Sequence, residues 1–168
     1  MPAKAGRMFA LLAAVLAHPP VRAASPPTAV AVAEFDYVDT SGEVRDQSEA
    51  HADRLRVFAQ SLRADLARQD GLRIIALDCS TGCSAVQNEL AGLFATAARQ
   101  GADLLIFGSI RKQSTLIQYA KTEVIDLHSQ QILLDRLLTF RGDDDQSWAR
   151  AEQFLVKDIV AATAPNRF

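Results

Sequence analysis

The chain has 168 residues, of which 49% are hydrophobic and 23% charged. This length suits one domain, and the composition excludes both a disordered polar tract and a fibrous repeat. The formal net charge of −2 excludes the strongly basic surface of a dedicated nucleic-acid-binding protein, so no nucleic-acid partner is expected.

The first 23 residues have the pattern of a secretory signal peptide. Lys4 and Arg7 precede an apolar run over residues 8–17, and residues 21–23 end in Ala23, a small residue typical of a cleavage site. The apolar run is about half as long as a transmembrane helix requires, so we expect no membrane span after cleavage. The abundance of arginine and alanine is typical of GC-rich bacterial genomes. The sequence therefore predicts a bacterial protein that is periplasmic or secreted.

The first part of the remaining chain predicts a strand followed by a helix. Residues 24–28 contain two prolines and predict a flexible lead-in. Residues 29–37 begin with a continuous apolar run, which suits a central strand covered on both faces. Ser48 is a favoured helix cap, and the segment 49–69 has apolar residues at helical spacing. These residues are Leu55, Phe58, Ala59, Leu62 and Leu66.

The rest of the chain predicts four more strands and two more helices. Residues 72–77 predict a strand parallel to the first, because a strand, a helix and a strand of these lengths favour a right-handed crossover. The later elements are predicted as a helix over 85–100, strands over 103–110, 115–126 and 131–141, and a helix over 144–162. The buried stripe expected for the helix over 85–100 comprises Val86, Leu90, Leu93, Phe94 and Ala97.

These elements predict the fold class. Residues 29–163 are expected to form a single-domain α/β sandwich with the order β-α-β-α-β-β-β-α. The central sheet is mixed, and the helices pack on it.

The second half of the chain resembles a known group of bacterial proteins. The residues that carry the resemblance are Cys79, 82–83, 102–112, 114–117, 126–127, 141–142 and 147–148. Over about residues 30–160 they resemble an uncharacterised family of small predicted secreted proteins, which forms a domain of unknown function. The element order is more distantly similar to the amino-terminal domain of the Tol translocation protein.

The two resemblances imply a role in protein contacts. The relatives of the Tol domain are modules that bind other proteins, which is an analogy of fold. Some members of the small secreted family are associated with periplasmic quinoprotein oxidation, which implies such a system as a partner.

Cys79 and Cys83 are the most informative local feature. Two cysteines in the exported part of a chain predict a disulfide, and Gly82 between them can adopt the backbone angles of a tight turn. A redox-active pair and a metal site are the alternatives. The spacing differs from the C-x-x-C of thioredoxin-like enzymes, and a metal site would need two further ligands.

Other residue types that often carry chemistry have structural interpretations. His51 and His128 are expected to be solvated surface residues, because they lack a metal-binding spacing. The three aspartates at 143–145 suit the start of a helix better than a cation site. The chain contains no G-x-S-x-G elbow, Walker loop or G-x-G-x-x-G motif. We therefore expect no catalytic residues, no metal and no cofactor.

The leading functional hypothesis is a non-enzymatic accessory or protein-interaction module of the cell envelope. Its partner surface is predicted on the edge of the antiparallel strands, around residues 112–118 and 126–131. Lys112, Gln113 and His128 are the candidate contact residues.

The alternative hypothesis is a small-ligand binding protein or a minor enzyme. Asp36 and Asp78 each follow an apolar strand, and ligands tend to bind at the carboxyl ends of parallel strands. These two carboxylates therefore mark a candidate cleft. A third alternative, a redox protein, depends on the cysteine pair.

Overall fold

The computed structural model describes residues 26–80 and 82–164. The predicted signal peptide and residues 24–25 of the predicted lead-in lie outside the described residues. The elements in chain order are β1 (Thr28–Val32), β2 (Asp36–Asp39), α1 (Ser48–Ala67), β3 (Leu72–Ile75), α2 (Ala85–Arg99), β4 (Leu104–Lys112), β5 (Ile117–Asp126), β6 (Ile132–Arg141) and α3 (Asp145–Thr163).

The strands form one mixed sheet with the order β3-β1-β4-β5-β6. β1 pairs in parallel with β3 and β4, while β4, β5 and β6 form an antiparallel meander. β2 also pairs in parallel with β4, beyond the end of β1. The predicted fold class and element order are confirmed.

The predicted first strand is divided into β1 and β2. The Ala33 backbone N–H still donates to Ile106, but that of Glu34 donates to the Cys83 carbonyl at 2.9 Å. Glu34 therefore pairs with the segment before α2 and not with β4. This exchange of partners interrupts the strand and brings the cysteine turn against the sheet.

β1 lies between two hydrophobic cores. Val30 and Val32 face the core formed with α1 and α3, whereas Ala31 and Ala33 face the smaller core formed with α2. All four side chains are buried. Because side chains alternate along a strand, a continuous run of small apolar residues is what a strand covered on both faces requires.

The stripe predicted for α2 is wrong at Val86 and Leu90. Leu93 and Ala97 are buried, but Val86 is 78% exposed and Leu90 is 40% exposed. The backbone leaves the helical region at Glu89 (φ 52°, ψ 145°), which kinks α2 and takes its first turn out of phase with the sheet. The prediction of a buried stripe from helical spacing assumes an unbroken helix, and α2 does not meet this assumption.

No helix within the described residues combines the length and the apolar character that a membrane span requires.

Candidate functional site

The cysteine turn is closed by a disulfide, as predicted. Cys79 and Cys83 are bonded, with their Cα atoms 5.4 Å apart. Gly82 has a φ of +92°, and a Cβ atom there would collide with the Gln87 side chain. Ser84 then caps α2 by accepting a hydrogen bond from the Gln87 N–H. Because both sulfurs are used in the bridge, neither is available as a thiolate ligand for a metal.

Asp36 and Asp78 have different hydrogen-bond partners. The Asp36 carboxylate accepts a hydrogen bond from the Val86 N–H at 3.3 Å, in the first turn of α2, where a negative charge is favoured. The groove of about 560 Å³ beside it includes Asp36 but not Asp78 in its lining. Asp78 is exposed, and its backbone is held by the Gln100 amide. A ligand site at these carboxylates stays a prediction.

The predicted partner surface does not form a single patch. Gln113 follows β4 and His128 follows β5, so the two turns lie at opposite ends of the ten-residue β5, ~30 Å apart at the usual rise per residue. Gln113 is exposed, and the His128 side chain is 75% exposed, as expected for a surface histidine. A hydrogen bond from His128 to Asp103 raises the pKa of the imidazole.

The prediction that Lys112 contacts a partner at the surface is wrong, because only 1% of the residue is exposed. It alternates with Arg111 along β4 and points towards the α1 and α3 side of the sheet. Its ammonium donates to Asp143 at 2.6 Å and to Gln47 at 3.1 Å, and it forms an ion pair with Glu43. Burial alone would lower the pKa of Lys112, but the hydrogen bonds that its ammonium donates to the carboxylates of Asp143 and Glu43 raise it.

Asp143 is the centre of a buried ion cluster, which we define as Glu43, His51, Arg54, Lys112 and Asp143. His51 Nε2 lies 2.8 Å from Asp143 Oδ2, and Arg54 donates to Oδ1 at 3.1 Å. Burial would raise the pKa of Asp143, but the hydrogen bonds from Lys112 and His51 outweigh burial and lower it. The prediction that His51 is a solvated residue is wrong, because it is 2% exposed.

The sequence interpretation of residues 143–145 is correct for Asp144 and Asp145, which lies in the first turn of α3, but wrong for Asp143. Asp144 is the N-cap of α3 and accepts a hydrogen bond from the Ser147 N–H. Asp143 instead turns into the protein, where the Gln118 amide also donates to it at 3.1 Å. Gly142 makes this turn possible with a φ of +103°, and a Cβ atom there would collide with Ser147.

The buried ion cluster has the properties of a structural element. The carboxylate of Asp143 accepts hydrogen bonds from four side chains, and the raised pKa of Lys112 keeps its amine protonated and therefore non-nucleophilic. The cluster joins the loop before α1, the start of α1, the end of β4 and the start of α3. It therefore fixes the positions of α1 and α3 at one end of the sheet.

Residues 26–80 and 82–164 cover the other face of the sheet only in part. α2 packs against the sheet at β1, β3 and β4. The smaller hydrophobic core under α2 includes Ile125 of β5 but no residue of β6. The strand register places alternate residues of β2, β4, β5 and β6 on this face beyond α2. We call six of them the bare sheet face: Val38, Arg111, Tyr119, Lys121, Leu137 and Thr139.

The bare sheet face has an apolar and aromatic centre with charged neighbours. Leu137 is 60% exposed and Val38 44% exposed, while Tyr119 is half-buried between Arg111 and Thr139 in the strand register. Lys121 forms an ion pair with Asp135 beside it. Within the part of the chain that the structure describes, β6 is also an edge strand of ten residues, so it offers an unpaired backbone edge next to this face.

A family model described as "Protein of unknown function (DUF2380)" and named DUF3280 matches residues 28–160. A search of curated proteins found no match to the chain.

Solved structures share the fold at low sequence identity. TolB from Acinetobacter baumannii is 15% identical with a TM-score of 0.55, and the alignment covers 86% of this chain but 30% of TolB. The hypothetical protein CT253 from Chlamydia trachomatis is 11% identical with a TM-score of 0.54, covering 83% of this chain and 99% of CT253. XCC0632 from Xanthomonas campestris, a DUF330 protein, is 10% identical with a TM-score of 0.50, covering 84% and 90%. These similarities confirm the Tol-like fold and, at such identities, only the fold.

Proposed function

This chain belongs to the DUF3280 family of proteins of unknown function, and we propose that it is a non-enzymatic accessory protein of the bacterial cell envelope. It acts in the periplasm by binding another envelope protein. The observation that carries this proposal is the bare sheet face, which leaves part of a folded β-sheet uncovered.

The composition of the bare sheet face supports a protein partner. Tyrosine and arginine are enriched in the centres of protein interfaces, and Tyr119 and Arg111 are direct neighbours across β4 and β5. Leu137 adds exposed apolar area, since it is 60% exposed. A surface with aromatic and aliphatic groups, the cations Arg111 and Lys121, and Asp135 beside it suits contact with a folded protein better than contact with a lipid or a nucleic acid.

The test is affinity capture from the periplasm of the native cells with the tagged full chain as bait. We expect Leu137→Asp to lose a partner that the wild-type chain captures, because the new charge would be desolvated in the interface. Leu116→Asp is the matched control, since Leu116 is 62% exposed but lies in the turn after β4. Val44→Asp, in the loop before α1, serves as a second control.

The pattern of capture decides between the surfaces. Loss with Leu137→Asp alone supports the bare sheet face. Loss with Leu116→Asp alone would move the interface to the turn predicted from the sequence. Equal capture by all variants that remain folded, or repeated failure of the wild-type chain to capture any partner, would contradict the proposal.

In its most specific form, the proposal is that the partner belongs to a quinoprotein oxidation system in the periplasm. This specific form derives from the family resemblance. Recovery of a quinoprotein by the wild-type bait and its loss with Leu137→Asp would support that form. If the wild-type bait captures an unrelated envelope protein and Leu137→Asp loses it, the accessory role is supported and a quinoprotein partner is contradicted.

A further inference from the structure

β6 ends the sheet with a backbone edge that no strand among residues 26–80 and 82–164 covers. In an antiparallel pair the backbone groups of alternate residues point away from the partner strand, so those of β6 point outwards from β5. Proteins usually protect such an edge with a short strand, a proline or a β-bulge. β6 has ten residues and no proline, and the irregularity in its pairing lies near its start, opposite Val124 and Ile125. Most of the edge is therefore open to another strand.

The exposed side chains of β6 carry opposite charges towards its two ends. Asp135 and Arg141 are six positions apart, so they lie on the same face of the sheet, with Leu137 and Thr139 between them. Asp135 forms an ion pair with Lys121 of β5. Arg141 is exposed and forms no ion pair with any residue that the structure describes. On this face β6 is therefore acidic near its start and basic at its end.

This order of charges is complementary to itself when two copies of β6 run antiparallel. With Leu138 on the two-fold axis, Asp135 of each copy lies directly opposite Arg141 of the other copy. Directly opposite residues have Cβ atoms about 5 Å apart, which is within reach of an ion pair. A parallel pair in register would instead place each charge beside its like. The charges therefore favour the antiparallel arrangement.

Other antiparallel registers are less favourable. A register centred on Asp135 or on Arg136 places that residue opposite its own copy, and like charges directly opposite each other are destabilising. A register centred on Leu137 places Asp135 opposite Thr139, so that Arg141 has no carboxylate directly opposite. The other edge strand of the sheet, β3, has four residues and offers fewer backbone groups for pairing.

We propose that the protein forms a symmetric dimer in which the β6 strands of two copies pair antiparallel, with Asp135 of each copy bound to Arg141 of the other. The sheet then continues from one chain into the next. Leu137 of one copy becomes a diagonal neighbour of Leu137 of the other, so the two bare sheet faces join into one surface. The dimer goes beyond the partner binding proposed above, because it needs no second protein.

Sedimentation equilibrium of the purified chain over a range of concentrations measures this dimerisation in the absence of any partner protein. We expect the wild-type chain to dimerise as its concentration rises. Asp135→Arg and Arg141→Asp should each weaken dimerisation roughly tenfold or more, because both opposite-charge pairs become like-charge pairs. An equimolar mixture of these two variants should recover the wild-type affinity as a heterodimer, in which opposite charges again face each other.

Arg73→Asp is the matched control, since Arg73 is an exposed arginine of the other edge strand, β3. It should leave dimerisation unchanged. Three results would overturn the proposal: a wild-type chain that stays monomeric at every concentration, a mixture of the two β6 variants that associates no better than each variant alone, or loss of dimerisation with Arg73→Asp.

A cysteine cross-link tests the register in chains that retain both charges, whether or not the charge variants fold. Leu137→Cys and Thr139→Cys, mixed under oxidising conditions, should form a cross-linked dimer, because their Cβ atoms lie about 5 Å apart across the two-fold axis. Different affinity tags on the two variants identify the mixed product. Leu133→Cys mixed with Thr139→Cys is the control, since residue 133 lies about 13 Å along the strand from residue 137. Equal cross-linking in both mixtures, or none in the first, would overturn the proposal.

Discussion

Glu152→Gln should remove a pH dependence of stability that the buried carboxyl imposes on the folded chain. Glu152 is 3% exposed, and burial raises the pKa of its carboxyl from 4.5 to about 7. Asp65 raises this pKa further, while Arg68 opposes the rise. Glutamine has nearly the same shape but cannot ionise, so the variant isolates the cost of burying the charge.

The sign of the effect follows from proton binding. Between pH 4.5 and about 7 the folded state retains a proton on Glu152 that the unfolded state has lost, so stability falls as the pH rises. Below 4.5 both states are protonated and the penalty vanishes. The difference between the two pKa values corresponds to a penalty on the order of 3 kcal/mol, fully present above the folded-state pKa.

Urea unfolding of the wild-type chain and Glu152→Gln at about pH 4 and pH 8 measures this penalty. The variant should gain on the order of 3 kcal/mol relative to the wild-type chain between the two pH values. Glu49→Gln, at an exposed position in the first turn of α1, is the control for a general effect of charge removal. A stability difference between the wild-type chain and Glu152→Gln that is the same at both pH values would refute the reasoning.

The other predictions concern the buried ion cluster, the disulfide and the exposed histidine. Lys112→Met should lower the free energy of unfolding by about 3 kcal/mol, because it leaves the buried Asp143 without its ammonium partner; a loss below about 1 kcal/mol in urea unfolding would contradict this. Cys79→Ser combined with Cys83→Ser should cost about 2 kcal/mol and several degrees of melting temperature, yet preserve partner binding. Reactive thiols in the native wild-type protein without reductant would argue against the bridge. NMR titration should place the pKa of His128 above 6.5, and a midpoint at or below that value would exclude its hydrogen bond in solution.

The fold was largely predictable because its elements depend on local patterns. The run that contains Val30 and Ala31 has the apolar continuity of a doubly covered strand, and the stripe with Phe58 and Leu62 has the spacing of a helix. Each pattern shows which side chains of a single strand or helix are buried, so it can be recognised without knowledge of the rest of the fold. The kink at Glu89 was not predictable, because a non-glycine residue with a positive φ leaves no mark in a hydrophobic period.

The sequence analysis did not predict the buried ion cluster, because hydropathy describes single residues and does not show which charged residues pair in the fold. Lys112 and Asp143 are 31 positions apart in the sequence, and each is of a type that is almost never buried alone. Only the register of β4 against β5 and the entry angle of α3 bring them together.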